Sequence, residues 1–390
     1  GIMPAIELPT KDGGLEEFIT SEPLGFPETT NRPFNRAALA AAHVVPRATA
    51  DNDPWMDAEL DWDRTIAYRK HLWGLGLGVA EAMDTAQRGM GLDWPTSLEL
   101  IRRSVDASKD IPGAVVASGA GTDHLSPSED HNLDDVVRAY EEQCEAVEAV
   151  GGRIILMASR ALADCARSPN DYAAVYDRIL GQVQEPVIVH WLGEMFDPAL
   201  TGYWGHDDHF DAMDVCLDVL IRNQEKVDGI KISLLDKDKE IRLRRGLPAN
   251  VRMYTGDDFN YAELIAGDEE GYSDALLGIF DAIAPAASAA LTALAENRLE
   301  EFHRIFKPTV PLSRHIFRAP TRFYKTGVVF MAYLNSHQDH FVMIGGQQST
   351  RSITHLAEIF KLADKAGLLT NPEQAAARMQ HVLAVHGVGV

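Results

Sequence analysis

Lys231 is the clearest candidate for a reactive residue in this chain, because it lies within an apolar run, residues 227–233 (VDGIKIS). The apolar residues on both sides of it predict a buried strand, and burial disfavours the charged form of an ammonium group. A neutral lysine amine is a nucleophile that attacks ketones and aldehydes to form a Schiff base. A structural interpretation competes with this one: Lys231 lies at the exposed end of the strand or pairs with a carboxylate such as Asp257.

Polar side chains also follow other apolar runs, and they supply the remaining groups that such chemistry needs. The candidates for binding a substrate are Glu81, Asp84, Thr85, Arg160, Ser233, Gly256, Asp257, Asp258 and Ser273. Carboxylates suit the hydroxyls of a sugar-derived substrate, and a guanidinium can hold a carboxylate or a phosphate. Aspartate also commonly caps helices, so we expect one of Asp257 and Asp258 to cap the helix that follows.

His190 is the second candidate catalytic residue, and it lies in the run 186–191 (PVIVHW). Imidazole titrates near neutral pH, so His190 could move protons to and from a substrate bound at Lys231. The competing interpretation is a core histidine that is hydrogen-bonded to a backbone carbonyl. We expect the catalytic role, because His190 lies at the end of a predicted strand.

A metal site is the alternative interpretation of the same region. His206 and His209 lie in the loop 202–209 (GYWGHDDH), and together with His190 they offer ligand types for a divalent metal. A bound metal would polarise a carbonyl and support a metal-dependent lyase or hydrolase. The spacing matches no specific metal motif, so we expect no cofactor and interpret the loop as a lid over the site. The run 337–340 (HQDH) is interpreted as a surface turn.

The elements that must position these residues alternate along the chain. Strand-like runs occur at 37–45, 73–82, 113–120, 153–159, 186–191, 227–233, 251–255 and 271–276, and amphipathic helical segments lie between them at 98–107, 133–150, 171–182, 211–224 and 261–266. Apolar strands that alternate with helices indicate an α/β fold with a parallel sheet covered on both faces. Eight repeats predict a (β/α)8 TIM barrel, in which the carboxyl ends of the strands carry the chemistry.

The predicted domain organisation has three parts. Residues 1–36 form an N-terminal arm, residues 37–281 form the barrel, and residues 282–390 form a C-terminal helical region packed on the barrel. The helices predicted in the last part span 284–297, 299–306, 324–334, 354–366 and 372–385. No glycine-rich phosphate motif follows any strand, which argues against a nucleotide-binding open sheet.

The charge of the chain limits its partners. The 390 residues include 36 Lys and Arg and 58 Asp and Glu, a formal net charge of −22. Such a charge disfavours nucleic acid and anionic membrane surfaces, so we expect a small-molecule partner. Cys144, Cys165 and Cys216 have no disulfide or zinc spacing, and no secretory leader or bilayer-length apolar run is evident, so a cytoplasmic location is expected.

Between about residue 37 and residue 335, the order of segments resembles the class I, Schiff-base lyases typified by dihydrodipicolinate synthase and N-acetylneuraminate lyase. Residues 228–231 (DGIK) resemble the sixth-strand GIK run of that family, whose lysine forms the Schiff base. Residues 186–191 resemble the fifth-strand PIILYN run, and His190 then takes the place of the proton-relaying tyrosine. Residues 254–258 (YTGDD) are similar to the seventh-strand SGDD segment that lines the substrate pocket. The segment 271–273 (GYS), followed by Ala284 and Pro285, is similar to the stretch that closes the barrel.

One family motif is missing, and its loss bears on the substrate. The second-strand GTTGE run, whose threonines bind the carboxylate of an α-keto acid, is replaced by residues 78–89 (GVAEAMDTAQRG). Thr85, Gln87 and Arg88 could bind an anion there instead. The resemblance therefore indicates a divergent branch of the superfamily, for which pyruvate is not assured as a substrate.

The resemblance implies a Schiff-base-forming lyase, aldolase or dehydratase that acts on a small hydroxylated oxo compound, either sugar-derived or an oxo acid. The partner is then a small carbonyl compound, and the resemblance further implies a homo-oligomer, a dimer or a tetramer. Two alternatives stay open: the metal-dependent lyase or hydrolase described above, and a barrel that binds a ligand without catalysis, since a fold does not dictate its function.

Overall fold

The computed structural model describes residues 2–30 and 33–390. The chain divides into two compact units, which we name by their main elements. The barrel unit comprises Arg36–Ala42 and Gly78–Leu277, and the helical unit comprises Gly1–Asn35, His43–Leu77 and Gly278–Val390.

Ten strands occur among the described residues. They are β1 (Ala5–Pro9), β2 (Leu15–Ile19), β3 (Ala38–Ala41), β4 (Gly78–Glu81), β5 (Val116–Ala120), β6 (Arg153–Leu156), β7 (Val187–Leu192), β8 (Val227–Ser233), β9 (Arg252–Thr255) and β10 (Asp274–Leu277). Strands β3 to β10 form a closed parallel barrel in which β10 pairs with both β9 and β3. Each predicted strand run overlaps one of these eight strands, so the predicted (β/α)8 barrel is confirmed.

Fifteen α-helices complete the description. They are α1 (Trp62–Gly74), α2 (Trp94–Ser108), α3 (Leu133–Ala149), α4 (Arg160–Cys165), α5 (Pro169–Gln182), α6 (His209–Arg222), α7 (Lys237–Gly246), α8 (Tyr261–Ala266), α9 (Ile279–Ala282), α10 (Ala284–Ala295), α11 (Leu299–Phe306), α12 (Thr309–Ile316), α13 (Tyr324–Leu334), α14 (Ile353–Lys365) and α15 (Pro372–Val385). None of the helices in this described part of the chain is long and apolar enough to cross a membrane.

Five of these helices do not appear among the sequence predictions: α1, α4, α7, α9 and α12. Helix α7 (KDKEIRLRRG) is strongly charged and buries only Glu240 and Leu243, so it shows little of the apolar period that identifies a helix. Helix α1 ends at Gly74, within the run 73–82 that was predicted as a strand. The observed strand β4 starts at Gly78, because the first residues of that run complete the helix and its turn.

Side chains inside the barrel come from alternate residues of each strand, as the strand period of two requires. The inner cluster contains Leu39, Ala41, Ala80, Met83, Ala117, Ile155, Ile188, Tyr254 and Leu276. Residues between these positions face the surrounding helices. This alternation decides which polar residues of a strand can reach the interior.

The helical unit contains the N-terminal hairpin as well as helices from both ends of the chain. Strands β1 and β2 pair antiparallel, with Ile6 opposite Phe18, within the segment predicted as an extended arm. The five helices predicted beyond residue 282 are all present, as α10, α11, α13, α14 and α15.

A group of polar and aromatic side chains in the helical unit corrects the interpretation of the run 337–340. We name it the histidine cluster: His43, Tyr68, His71, Asp281 and His337. The His337 ring packs 4.9 Å from the Tyr68 ring and 4.5 Å from the His71 ring, between centroids, and the neighbouring Gln338 is fully buried. The run is therefore a surface turn only in part: His337 and Gln338 pack inwards, whereas the Asp339 side chain is 75% exposed.

Candidate active site

Lys231 lies inside the barrel. On β8 it is directly opposite His190 of β7 and Tyr254 of β9, and Tyr254 belongs to the inner cluster. Its exposed fraction is only 7%. The interpretation that places Lys231 at an exposed strand end is therefore wrong.

Two carboxylates act on the Lys231 amine. Burial lowers the pKa of Lys231 from 10.5 to about 8, and the charges of Asp258 and Asp84 partly oppose that decrease. Asp258 follows β9, and Asp84 begins a short 3-10 helix, Asp84–Ala86, after β4. The acidic groups whose charges act on Lys231 thus follow two different strands, and Asp257 is not among them.

Gly256 leaves the space that the lysine side chain occupies. A Cβ atom at this position would lie 2.8 Å from Lys231 Cε, 2.3 Å from Ser233 Oγ and 2.5 Å from the Ile232 carbonyl oxygen. Any side chain here would displace both Lys231 and Ser233. Gly256, predicted as a substrate-binding residue, therefore acts on the site through its lack of a side chain.

His190 and Ser233 form a pair beside Lys231. The His190 Nε2 atom is 3.1 Å from Ser233 Oγ, and both side chains are buried. Burial, together with the charge of Lys231, holds the pKa of His190 well below its ordinary value of 6.5. The imidazole is therefore neutral at physiological pH. It can accept a proton or a hydrogen bond, but it is not an imidazolium that could act as an acid.

The two aspartates of the seventh-strand turn have different roles. Asp257 accepts hydrogen bonds from the backbone N–H groups of Phe259 and Asn260, each at 2.9 Å, and from the Asn260 side chain. It therefore stabilises the turn that leads into α8, but it does not cap the helix as expected, because the N-cap of α8 is Asn260 and has no side-chain capping bond. Burial raises the pKa of Asp257. Asp258 is the member whose charge acts on Lys231.

Thr85 and Arg88, proposed above as anion ligands, lie in the segment that follows β4. Thr85 is buried within the same turn as Asp84. The Arg88 guanidinium donates to the carbonyl oxygens of Ala82 and Gly119, at 3.1 and 3.0 Å, and forms an ion pair with Asp123. Arg88 thus links the ends of β4 and β5 and has its donors engaged within the protein.

Three predicted substrate ligands have partners elsewhere. Glu81 neighbours the inward-facing Ala80, so it points outwards, where it accepts a hydrogen bond from the Ser104 hydroxyl of α2. Ser273 donates to Glu240 of α7 at 2.8 Å. Arg160 forms an ion pair with Asp197, and its side chain is 48% exposed. The described contacts do not bring these three residues to Lys231, although their predicted role as ligands has no direct test.

The loop 202–209 is anchored by two buried aromatic residues, while Gly205, Asp207 and Asp208 are exposed, and its role as a lid stays a prediction. Tyr203 and Trp204 are buried, and the Tyr203 hydroxyl lies 2.7 Å from the Tyr176 hydroxyl of α5. The Tyr203 hydroxyl also accepts a hydrogen bond from the backbone N–H of Ser159. These contacts anchor the loop among the outer helices, because aromatic side chains pack best when they are enclosed.

The metal alternative lacks a suitable group of ligands. The His209 ring lies 2.8 Å from Glu194 Oε1 and 2.9 Å from Lys239 Nζ, while His190 is paired with Ser233. Throughout residues 2–30 and 33–390, no three His, Cys, Asp or Glu side chains group in a way that could hold a metal ion. His190, His206 and His209 therefore do not form the site that their residue types suggested.

Comparison with known proteins gives one family and one fold. A family model described as "Protein of unknown function (DUF993)" matches residues 6–388. No curated protein matches the sequence. Dihydrodipicolinate synthase from Aquifex aeolicus is 11% identical, with a TM-score of 0.61 over 91% of this chain and 99% of that chain.

Two further solved structures show the same similarity. YagE from E. coli K12, a prophage protein of the dihydrodipicolinic acid synthase family in complex with pyruvate, is 12% identical, with a TM-score of 0.63 over 91% of this chain and 99% of that chain. The 4-hydroxy-tetrahydrodipicolinate synthase from Methylacidiphilum fumariolicum SolV is 13% identical, with a TM-score of 0.63 over 89% and 99%. At these identities the similarity shows a shared fold, and it confirms at that level the resemblance seen in the sequence.

Proposed function

The chain belongs to the DUF993 family, and on that premise we propose that it is a Schiff-base-forming lyase, aldolase or dehydratase that acts on a small hydroxylated oxo compound. The observation that carries the proposal is Lys231: a buried amine inside a (β/α)8 barrel, with a pKa lowered to about 8. An amine of that pKa is roughly 10% neutral at pH 7, about 300 times the neutral fraction of an ordinary lysine.

The residues around Lys231 suit the steps of imine chemistry. The neutral Nζ atom attacks the carbonyl carbon and forms a carbinolamine. The hydroxyl of this adduct takes up a proton from solvent and leaves as water, which gives an iminium with a positive charge on nitrogen. Asp84 and Asp258, whose charges already favour the charged form of Lys231, would stabilise that iminium. Their positions support roles in catalysis for both carboxylates.

The pair formed by His190 and Ser233 suits the proton transfer that follows. When a carbon–carbon bond beside the iminium breaks, its electron pair moves towards the nitrogen and gives an enamine, and the hydroxyl of the leaving fragment loses a proton. His190 is neutral and 3.1 Å from Ser233 Oγ, so the pair can accept that proton. In a dehydration the same pair would return a proton to the leaving hydroxide.

Reductive trapping tests the proposal. The protein is treated with borohydride in the presence of a panel of ketones and aldehydes, and peptide mass spectrometry locates any adduct. We expect a covalent adduct on Lys231 and none in the Lys231→Met variant. Lys237→Met is the matched control, because Lys237 is a half-exposed lysine of α7 paired with Glu263. Absence of an adduct on Lys231 across the panel would contradict the proposal and favour a barrel that only binds ligands.

Three associated expectations stay predictions. The chemistry proposed here requires no cofactor, and metal analysis of the purified protein tests that. A dimer or tetramer is expected from the resemblance, and light scattering measures it. The cytoplasmic location is tested by fractionation of the source cells.

A further inference from the structure

We propose, on the basis of the Schiff-base function above, that Glu240 is a positioning residue of the Lys231 site. From helix α7, outside the barrel, it acts through the Thr255 hydroxyl to fix the turn 255–257, against which the Lys231 side chain packs. The proposal rests on hydrogen bonds that run from Glu240 to this turn and on the close approach of the turn to Lys231.

Glu240 is a buried carboxyl group that receives two hydroxyl donors. Its exposed fraction is 1%, and Thr255 Oγ1 donates to its Oε1 atom while Ser273 Oγ donates to its Oε2 atom, each at 2.8 Å. Thr255 follows the inward-facing Tyr254, so its side chain points outwards to α7. Burying a carboxyl group among neutral hydroxyls is costly, and an apolar side chain would fill the space between α7 and the barrel at a lower cost. The two hydroxyls therefore indicate what Glu240 holds in place.

The Thr255 hydroxyl transmits the effect of Glu240 to the end of β9. It accepts a hydrogen bond from the backbone N–H of Asp257 at 3.1 Å while it donates to Glu240. A hydroxyl has one proton, so the bond to Glu240 directs a lone pair towards the Asp257 N–H. On the other side, the Gly256 N–H donates to the Ile232 carbonyl oxygen of β8 at 3.0 Å. The turn is thus held from α7 and from β8 together.

The link to Thr255 can be kept in both protonation states of Glu240. Burial raises the pKa of Glu240 to about 8, the charge of Asp257 adds to that rise, and the charge of Arg244 opposes it. The carboxylate accepts from both hydroxyls. The carboxylic acid would donate through Oε2 to Ser273 Oγ and still accept from Thr255 through Oε1. The position of the turn therefore does not depend on this proton.

The turn packs directly against the reactive side chain. A Cβ atom at Gly256 would lie 2.8 Å from Lys231 Cε and 2.3 Å from Ser233 Oγ, both shorter than a van der Waals contact. A shift of the turn towards β8 would displace the lysine chain, and a shift away would remove its packing partner. Misplacement of a reacting atom by about 1 Å can lower a rate by roughly 100-fold. Glu240 therefore acts on the attack by Nζ through Thr255 and Gly256.

The test measures the reactivity of Lys231 when the link is cut and when it is kept. Hydroxyacetone is offered with cyanoborohydride at pH 8, and mass spectrometry gives the initial rate of adduct formation on Lys231. The cut variants are Thr255→Val, which has the shape of threonine without its hydroxyl, and Glu240→Leu, which removes the acceptor. We expect each to lower the rate roughly tenfold. Thr255→Ser and Glu240→Gln keep the hydroxyl and an acceptor oxygen, and their rates should stay within about twofold of the wild type.

The pH profile of the same reaction separates positioning from a general loss of structure. Burial is the largest influence on the pKa of Lys231, and it outweighs the charges of Asp258 and Asp84, which raise that pKa. His190, opposite Lys231 on β7, is neutral. A loosened turn admits water to the amine, so the midpoint of the profile should move above about pH 8 in the cut variants. The serine and glutamine variants should keep the midpoint of the wild type.

Thr65→Val, in the helical unit, is the matched control. Thr65 is fully buried, and its hydroxyl donates to the Val45 carbonyl oxygen at 3.2 Å and accepts from the Val45 N–H at 3.1 Å. This variant loses one donated and one accepted hydrogen bond, as Thr255→Val does. We expect a similar decrease in thermal stability, with an unchanged rate and an unchanged midpoint.

The outcomes separate this proposal from the proposed function. If the wild type reacts and a cut variant that is folded by circular dichroism keeps its rate and midpoint, the function stands and the positioning role is overturned. An equal decrease in Thr65→Val or in Thr255→Ser would also overturn that role. The two cut variants test the link independently, so one folded variant is enough.

If no carbonyl compound gives an adduct on Lys231 of the wild type, the Schiff-base function is contradicted. Trace labelling of Lys231 with acetic anhydride then gives the same comparison without an imine. Weaker labelling in the cut variants would support the positioning role, and unchanged labelling would overturn it.

Discussion

Burial acts on two groups of titratable residues in this chain, with opposite chemical consequences. In the barrel unit it lowers the pKa of Lys231 from 10.5 to about 8, into the range where a proton is readily exchanged. In the histidine cluster of the helical unit it lowers the pKa of His337 from 6.5 to about 3, away from that range. The same loss of hydration thus brings the pKa of a lysine closer to neutral pH and moves the pKa of a histidine away from it, because their ordinary pKa values lie on different sides of neutrality.

The surroundings of the two groups reinforce this difference. The charges of two carboxylates act on Lys231, and its side chain occupies the space that Gly256 leaves free. The histidine cluster is filled by aromatic contacts, with ring centroids 4.6 Å apart for His43 and Tyr68. The one carboxylate of the cluster belongs to Asp281, whose Oδ2 atom lies 2.7 Å from Nδ1 of the His43 ring. Packing accounts for the histidine cluster, whereas it does not account for a lysine placed inside a barrel.

Substitution of Lys231 should have the largest effect. Lys231→Met should abolish the borohydride adduct and at the same time stabilise the protein at pH 7. The pKa of Lys231 is lower in the folded than in the unfolded state, so the folded state is penalised below about pH 8 and recovers as the pH rises towards 10.5. At roughly 1.4 kcal/mol per pKa unit, the gain is up to about 3 kcal/mol. Urea unfolding at pH 7 and at pH 10.5 measures this gain in stability. An adduct that persists in the variant would show that Lys231 is not the residue that forms it.

The pH dependence of trapping should follow the titration of Lys231. Only the neutral amine attacks a carbonyl, so the initial rate should rise about tenfold per pH unit below the pKa and level off above about pH 8. Cyanoborohydride trapping from pH 5.5 to 9.5 gives the profile. A rate that keeps rising to pH 10 would mean that burial does not shift this lysine, and the contrast with His337 would be lost.

Gly256→Ala should disturb the lysine site without removing its nucleophile. The new methyl group would overlap Ser233 Oγ and Lys231 Cε, at a cost of about 1–3 kcal/mol in the free energy of unfolding. We expect adduct formation to fall by roughly tenfold. Gly181→Ala is the matched control: a Cβ there meets no atom within 4 Å, and α5 should gain up to about 1 kcal/mol. Equal effects from the two substitutions would contradict the steric role of Gly256.

The smallest effect on trapping should come from His337→Phe. Phenylalanine keeps the ring contacts with Tyr68 and His71 but cannot be protonated. Because the folded pKa of His337 is lowered, the wild type loses stability as the pH falls from about 6.5 towards 3, and the variant should lose up to about 5 kcal/mol less over that range. Acid unfolding followed by circular dichroism checks this. The adduct on Lys231 should not change, since no residue of the histidine cluster is among the charges that act on Lys231.

The sequence predicted the features that depend on local pattern. The apolar runs identified the eight strands, and a lysine flanked by apolar residues identified the candidate nucleophile. Such features are predictable because strand period and burial are each properties of a few consecutive residues.

Other features depend on register and on distant partners, which no local pattern contains. Glu81 was proposed as a substrate ligand, yet it lies one residue after Ala80 and so faces α2, because a shift of one residue exchanges the two faces of a strand. Ser273 bonds to Glu240 of α7, a helix whose charged sequence concealed it. Gly256 was predicted as a substrate-binding residue, and its steric role appears only when the ends of β8 and β9 are assembled.

Arg88 has a consequence for how this family can diverge. Its guanidinium joins carbonyls at the ends of β4 and β5 to the side chains of Asp123 and Gln143. Loss of the arginine alone would strand a buried carboxylate and two backbone oxygens, so single substitutions at any of these three side chains should be rare. Among related sequences the three positions should covary as a set, and a member that has replaced all three would be expected to shape the mouth of its barrel differently.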